Sequence, residues 1–85
     1  MFRKKKLVNG EDLKALRLEA GYTQQELADK LGRSRENISE LERNAVESQE
    51  AYHAIAPFWW LACQRRVSLS TREKFIEIVK GWFNL

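Results

Sequence analysis

Residues 23–43 read TQQELADKLGRSRENISELER, and the fold turns on how that stretch is read. Thr23 has the hydroxyl to cap a helix, and Glu26, three residues on, can bond back to the cap's own N–H in a reciprocal box. Leu27, Ala28 and Leu31 follow at the spacing of a single helical stripe. Gly32 interrupts the stripe and can take the positive φ that a sharp reversal requires. Two residues later Ser34 caps again, and Ile38 and Leu41 recur on a face that packs back against Leu27 and Leu31. Ala28 is small enough to let the two helices cross steeply. The spacing predicts two short helices joined by a tight turn, a helix-turn-helix, with the N-terminal side of the second helix free to enter a groove.

Working outward, Asn9-Gly10-Glu11-Asp12 reads as an earlier helix start, with Asn9 as cap and two acids in the first turn, where the dipole favours them. Leu13, Leu16 and Ala20 recur at helical spacing, and Gly21 ends the segment. Asn44, tolerant of the left-handed region, closes the helix after Ser34. A fourth helix is expected from Ser48, with Tyr52, Ile55, Trp59 and Ala62 on one face. Pro57 lies inside it and should kink or break it, because proline removes a backbone bond and clashes with the preceding turn. A last helix is expected from the box Ser70-x-x-Glu73, with Phe75, Ile76, Ile78, Val79, Trp82 and Phe83 apolar. No period-2 run of β-branched residues competes. The expectation is an all-α, compact domain of four to five helices over 11–85, preceded by a basic arm at 1–10.

Eighty-five residues make one domain, near the size at which burial offsets chain entropy with little margin. One Cys and one His exclude a disulfide or zinc staple, so packing, helped by a second copy, must stabilise it. No apolar run is long enough to cross a bilayer or act as a signal core, so no membrane partner is expected and a cytoplasmic location is. Neither a Ser/His/acid set, nor a phosphate-cradling glycine loop, nor a metal spacing is present, which argues against an enzyme, a cofactor or a metal. The net charge of +3 only permits a polyanionic partner, but its distribution says more. Arg3-Lys4-Lys5-Lys6 carry +4, so the remainder of the chain sums to −1. That arm is either a solvated terminus or a set of phosphate contacts.

With LKALRLEAGYTQQELADKLGRS and ISELER in view, the stretch from Leu13 to Arg43 resembles the phage-repressor, Cro/C1-type (XRE) family of helix-turn-helix regulators. The resemblance implies a lambda-repressor-like bundle whose third helix reads the major groove of double-stranded DNA. It also implies homodimers on inverted-repeat operators and a repressor or autoregulator, of a phage, plasmid or bacterial kind. Carried across, Ser34, Arg35, Glu36 and Glu40 take the base-facing positions, with Asn37 at a backbone or base contact. Gln24 opens the second helix, where the family's glutamine meets a phosphate and braces the reading helix; Thr23 stands beside it. Arg17 and Glu42 match a salt bridge that ties the first helix to the third.

The chemistry of these side chains agrees in part. Arg35 can donate twice to guanine O6 and N7, while Glu36 can accept from cytosine N4 but repels the backbone. Glu40 either does the same or pairs with Arg43 or Arg35. Arg33 and Arg43 flank the reading helix, placed for phosphates, which position a protein without reading sequence. Two glutamates there leave nonspecific affinity weak, so Lys4, Lys5 and Lys6 gain weight as phosphate contacts.

After Arg43 the family has a glycine and then a proline, where this chain has Asn44 and Val46-Glu47-Ser48. Phe58-Trp59-Trp60 cannot all face one small core, since about 100° separates successive residues. Either Pro57 breaks the helix and the aromatics wrap the core, or some of Trp59, Trp60, Ile78, Val79, Trp82 and Phe83 form a dimer interface. An alternative for the same surface is an antitoxin-like interaction with a partner protein. Cys63 reads as a small buried apolar residue before a redox sensor, and His53 as an ordinary helix residue. Arg65 and Arg66 either meet phosphate or end the fourth helix at its negative pole.

Overall fold

Capping chemistry draws the boundaries in the first half of the chain. A computed structural model describes residues 7–83 and arranges them as five helices: α1 Gly10–Ala20, α2 Gln24–Leu31, α3 Arg35–Glu42, α4 Gln49–Gln64 and α5 Leu69–Phe83. Among the described residues there is no strand. Asn9 caps α1 by accepting from the Glu11 N–H at 2.8 Å. Thr23 and Glu26 form the reciprocal box that opens α2. Gly32 ends α2 at φ +67°, with the Arg33 N–H returning to the Ala28 carbonyl at 2.9 Å. Asn44 takes φ +57° just past α3.

The core is one cluster. Leu13 and Leu16 of α1, Leu27 and Ala28 of α2, and Ile38 and Leu41 of α3 meet Tyr52, Ile55, Ala56, Trp59 and Cys63 of α4, all shielded from solvent. Phe75, Val79 and Trp82 of α5 complete it. The Trp59 indole N–H donates to the Leu13 carbonyl at 3.0 Å, so its polar atom is satisfied inside the core.

Four expectations need correction. Of the two outcomes expected at Pro57, the break does not occur: helix α4 runs through it without interruption. Proline in a helix interior costs about 3 kcal/mol. The large side chains on either side of it, Tyr52 and Ile55 before and Trp59 after, each contribute about 1.5–3 kcal/mol on burial, so the helix holds. Helix α5 starts earlier than the Ser70 box implies: the Ser68 hydroxyl accepts from the Thr71 N–H at 3.2 Å, which makes Ser68 the cap. Trp59, Val79 and Trp82 lie in the chain's own core and offer no surface to a second copy. An unbroken helix turns one of three consecutive aromatics inward, so Trp59 is buried, Trp60 half-buried and Phe58 exposed.

The last correction concerns the boundary at residue 10. Val8 is buried, and its N–H and carbonyl bond the Gln49 side-chain amide at 2.9 and 3.3 Å. The Gly10 N–H donates to Asn44 Oδ1 at 2.8 Å, and a Cβ on Gly10 would run into the Leu41 carbonyl oxygen. Residues 8–10 thus belong to the packed domain, clasped against the end of α3 and the start of α4.

Candidate nucleic-acid interface

Helix α3 has one face buried and the rest turned outward. Ile38, Leu41 and Glu42 point inward, whereas Arg35, Glu36 and Glu40 are exposed and Asn37 is half-buried. Ser34 caps the helix, its hydroxyl oxygen accepting from the Asn37 N–H at 3.1 Å. The hydroxyl hydrogen of Ser34 is left over as a donor.

A shallow open cleft runs along the outer face, lined by Arg35, Glu36, Ser39, Glu40, Arg43 and Ala45. Arg35, Glu36 and Glu40 are brought together there, while Ser34 and Asn37 lie to the side next to Arg33. The Arg33 guanidinium reaches Asn37 Oδ1 at 3.5 Å, a long contact. Sequence reasoning missed Ser39, which accepts from the Arg43 Nε at 3.3 Å. The i, i+4 spacing of 35, 39 and 43 was the signal that placed it on this face. Among the described residues Glu40 forms no ion pair with Arg35 or Arg43, so that alternative is set aside.

What holds this face outward is a buried polar junction. Arg17 of α1 grips Glu42 of α3 with two bonds, Nε to Oε2 at 2.6 Å and Nη2 to Oε1 at 3.0 Å. Its remaining nitrogen Nη1 donates to the Tyr22 carbonyl at 2.8 Å. Gln24 Nε2 donates to the same Glu42 Oε1 at 3.1 Å, so one carboxylate ties α1, α2 and α3 together. The pair is almost wholly shielded, and its charges are met by fork geometry plus further bonds, which a buried ion pair requires.

The phosphate candidates fall into three groups. Arg33 and Arg43 are exposed at the two ends of α3. Gln24 is half-buried and engaged with Glu42, and the Thr23 N–H is taken by Glu26 Oε1 at 2.8 Å, so both are turned toward partners within the domain. The Thr23 N–H and hydroxyl together hold the Glu26 carboxyl below its ordinary range. Lys4, Lys5 and Lys6 lie outside the described residues.

Elsewhere the chemistry is quiet. Cys63 is buried, and burial pushes its thiol up to about 12, so it is a thiol and not a thiolate at neutral pH. Among the described residues no group of three His, Cys, Asp or Glu side chains is placed to hold a metal. No helix among them is long and apolar enough to cross a membrane.

A small helical domain whose second and third helices are joined at a glycine turn, the third presenting an outward polar face, has the architecture of a DNA-binding transcriptional regulator. Residues 13–49, a little under half of the chain, match the helix-turn-helix family model. No curated protein and no solved structure matches the chain.

Proposed function

We propose that the chain is a sequence-specific binder of double-stranded DNA that represses or autoregulates transcription from an inverted-repeat operator as a homodimer. The observation that carries this reading is the outward face of α3, held in place from behind by the Arg17–Glu42–Gln24 junction. In this reading Arg35 donates to a guanine edge and Glu36 or Glu40 accepts from a cytosine amino group, with Ser34 and Asn37 at flanking contacts. Arg33, Arg43, Gln24, Thr23 and the Lys4–Lys6 arm hold phosphates and set the register.

The homodimer is proposed through α5. Leu69, Ile76 and Phe83 are exposed and stand seven residues apart, so they form one apolar stripe along that helix. Glu73 and Lys80 lie on a common flank of the stripe, on either side of Ile76. An antiparallel pairing of two copies centred there sets each Glu73 against the other copy's Lys80. The stripe is therefore complementary to itself under a two-fold axis. Of the interface candidates read from sequence, Trp60, Ile78 and Phe83 retain some exposure.

Selection of binding sites from random duplex DNA tests the whole reading. The expected result is an enriched inverted repeat whose half-sites lie about one helical turn, roughly 34 Å, apart. No enrichment over input would sink sequence-specific binding, and enrichment of a single half-site would sink the homodimer. Co-purification of a different chain bound to the α5 stripe would instead support the antitoxin-like reading.

A further inference from the structure

The positive charge of the described residues is not concentrated on the reading helix. The cleft along α3 carries two cations and two acids, Arg35 and Arg43 against Glu36 and Glu40. A second cleft, where the end of α4 meets the turn into α2, is walled by Lys30, Arg65 and Arg66 around Tyr22, with Gln64 beside them and no carboxylate.

Three features show that these cations are not already used. Among the described residues the ion pairs are Arg17–Glu42 and Glu77–Lys80, so none of the three has a carboxylate within 4.0 Å. The negative pole of α4 is served from elsewhere: Arg72 of α5 donates its Nε to the Gln64 carbonyl at 3.0 Å, and neither Arg65 nor Arg66 bonds a helix carbonyl through its side chain. Glu26, whose charge Arg66 feels, forms no ion pair with it; its carboxylate is bonded by the Thr23 N–H.

The arrangement is also held in place. Tyr22 is buried at its edge, its hydroxyl donating to the Ala62 carbonyl at 3.3 Å. The Arg66 guanidinium stacks on that ring at 4.2 Å from its centre, and the Lys30 ammonium stands 5.9 Å from it. The face of the ring attracts each cation, so the two are held close together and give the cleft a positive potential that an anion would meet. Arg66 also lies against the turn that leads into α2, its Nη2 only 3.6 Å from where a Cβ on Gly21 would stand. Tyr22 is followed directly by Thr23 and Gln24, the phosphate candidates at the start of α2.

We propose that this cleft takes a phosphodiester of duplex DNA, a backbone contact beyond those of the helix-turn-helix, and supplies sequence-independent affinity that the charge-balanced α3 does not. The inference rests on the DNA-binding reading above. It makes the end of α4 a part of the DNA footprint, with Arg65, Arg66 and Lys30 as phosphate ligands and Tyr22 as the residue that positions them.

The test is the salt dependence of binding to mixed-sequence duplex DNA, with the full chain. Each lost phosphate contact flattens the slope of log K against log salt by about 0.9. Arg65→Gln with Arg66→Gln should flatten it by about 2 for each copy bound and weaken all sequences alike, and Lys30→Gln by about 1 for each copy. Arg66→Lys keeps the charge and should keep the slope. Circular dichroism of each variant separates loss of contact from loss of fold, and Lys30→Gln, on an exposed helix face, provides a reading if the double variant unfolds. Folded variants with the wild-type slope would overturn the cleft while leaving the DNA-binding reading intact. An unaltered chain that binds no duplex DNA at all would overturn both.

Discussion

Arg35 and Glu42 stand at the two ends of α3, the first exposed and the second buried. Replacing Arg35 by Ala removes an exposed side chain, so folding should be unaffected. On a selected operator the loss should be about 1–3 kcal/mol, confined to one base pair of the half-site, as binding to a panel of single-base variants would show. Equal loss on every sequence would make Arg35 a phosphate contact. Glu42→Ala should behave differently, because it leaves the Arg17 guanidinium buried without its partner. A loss of about 3–5 kcal/mol is expected from denaturant unfolding, a large share of a small domain's stability. Cys63 yields a pH prediction. Its folded-state thiol titrates at about 12, above the ordinary 9.0 that the unfolded chain shows. The unfolded chain therefore releases this proton first, so the contribution of Cys63 is complete below pH 9.0 and lost as pH rises through 12. Thermal unfolding of the wild type should fall over that window more steeply than that of Cys63→Ala.

At the scale of elements, α4 and α5 divide their apolar residues between core and surface. On α4 the buried stripe is Tyr52, Ile55, Ala56, Trp59 and Cys63, while Phe58 and Leu61 face out. On α5 the buried stripe is Phe75, Val79 and Trp82, and Leu69, Ile76 and Phe83 form an exposed stripe about 100° around the helix from it. Ile76→Lys places a charge at the centre of the proposed two-fold pairing without touching the core. Analytical ultracentrifugation should then report a monomer, with helix content unchanged and operator binding reduced to that of a single half-site. A variant that still sediments as a dimer would move the interface away from α5.

For the molecule as a whole, charge and symmetry are linked. A domain with acids on its reading helix must gather phosphate contacts elsewhere, or multiply them by pairing. Deleting residues 1–6 removes four cations from a chain whose net charge is +3. If the arm meets DNA, the salt slope should flatten by up to about 3.6, and by twice that for a dimer. An unchanged slope would mark the arm as solvated. Val8 is bonded to Gln49, so a deletion that stops at residue 6 spares the packed segment. Deletions reaching residue 10 would instead remove Val8 from the core and should lower stability.

Local chemistry settled most of the first half. Caps at Asn9, Thr23 and Ser34 and the left-handed turn at Gly32 involve residues within a few positions of each other, so their geometry follows from composition and spacing alone. The same holds for the helix-turn-helix and for the all-α class, while spacing alone left the number of helices at four or five. Other features depend on contacts distant along the chain. Pro57 stays helical because burial on both sides outweighs one missing bond, a balance that no local signal contains. Ser68, and not Ser70, caps α5, although both are serines in a suitable setting. The fate of Phe58-Trp59-Trp60 was set by which side of α4 met α1, through the Trp59 bond to the Leu13 carbonyl. The basic cleft assembles Tyr22, Lys30 and Arg66 from α2's two ends and the end of α4, so tertiary packing alone brings those charges together. A short-range signal can state which residues begin, turn and end a helix; which faces stay open is decided only when the helices pack.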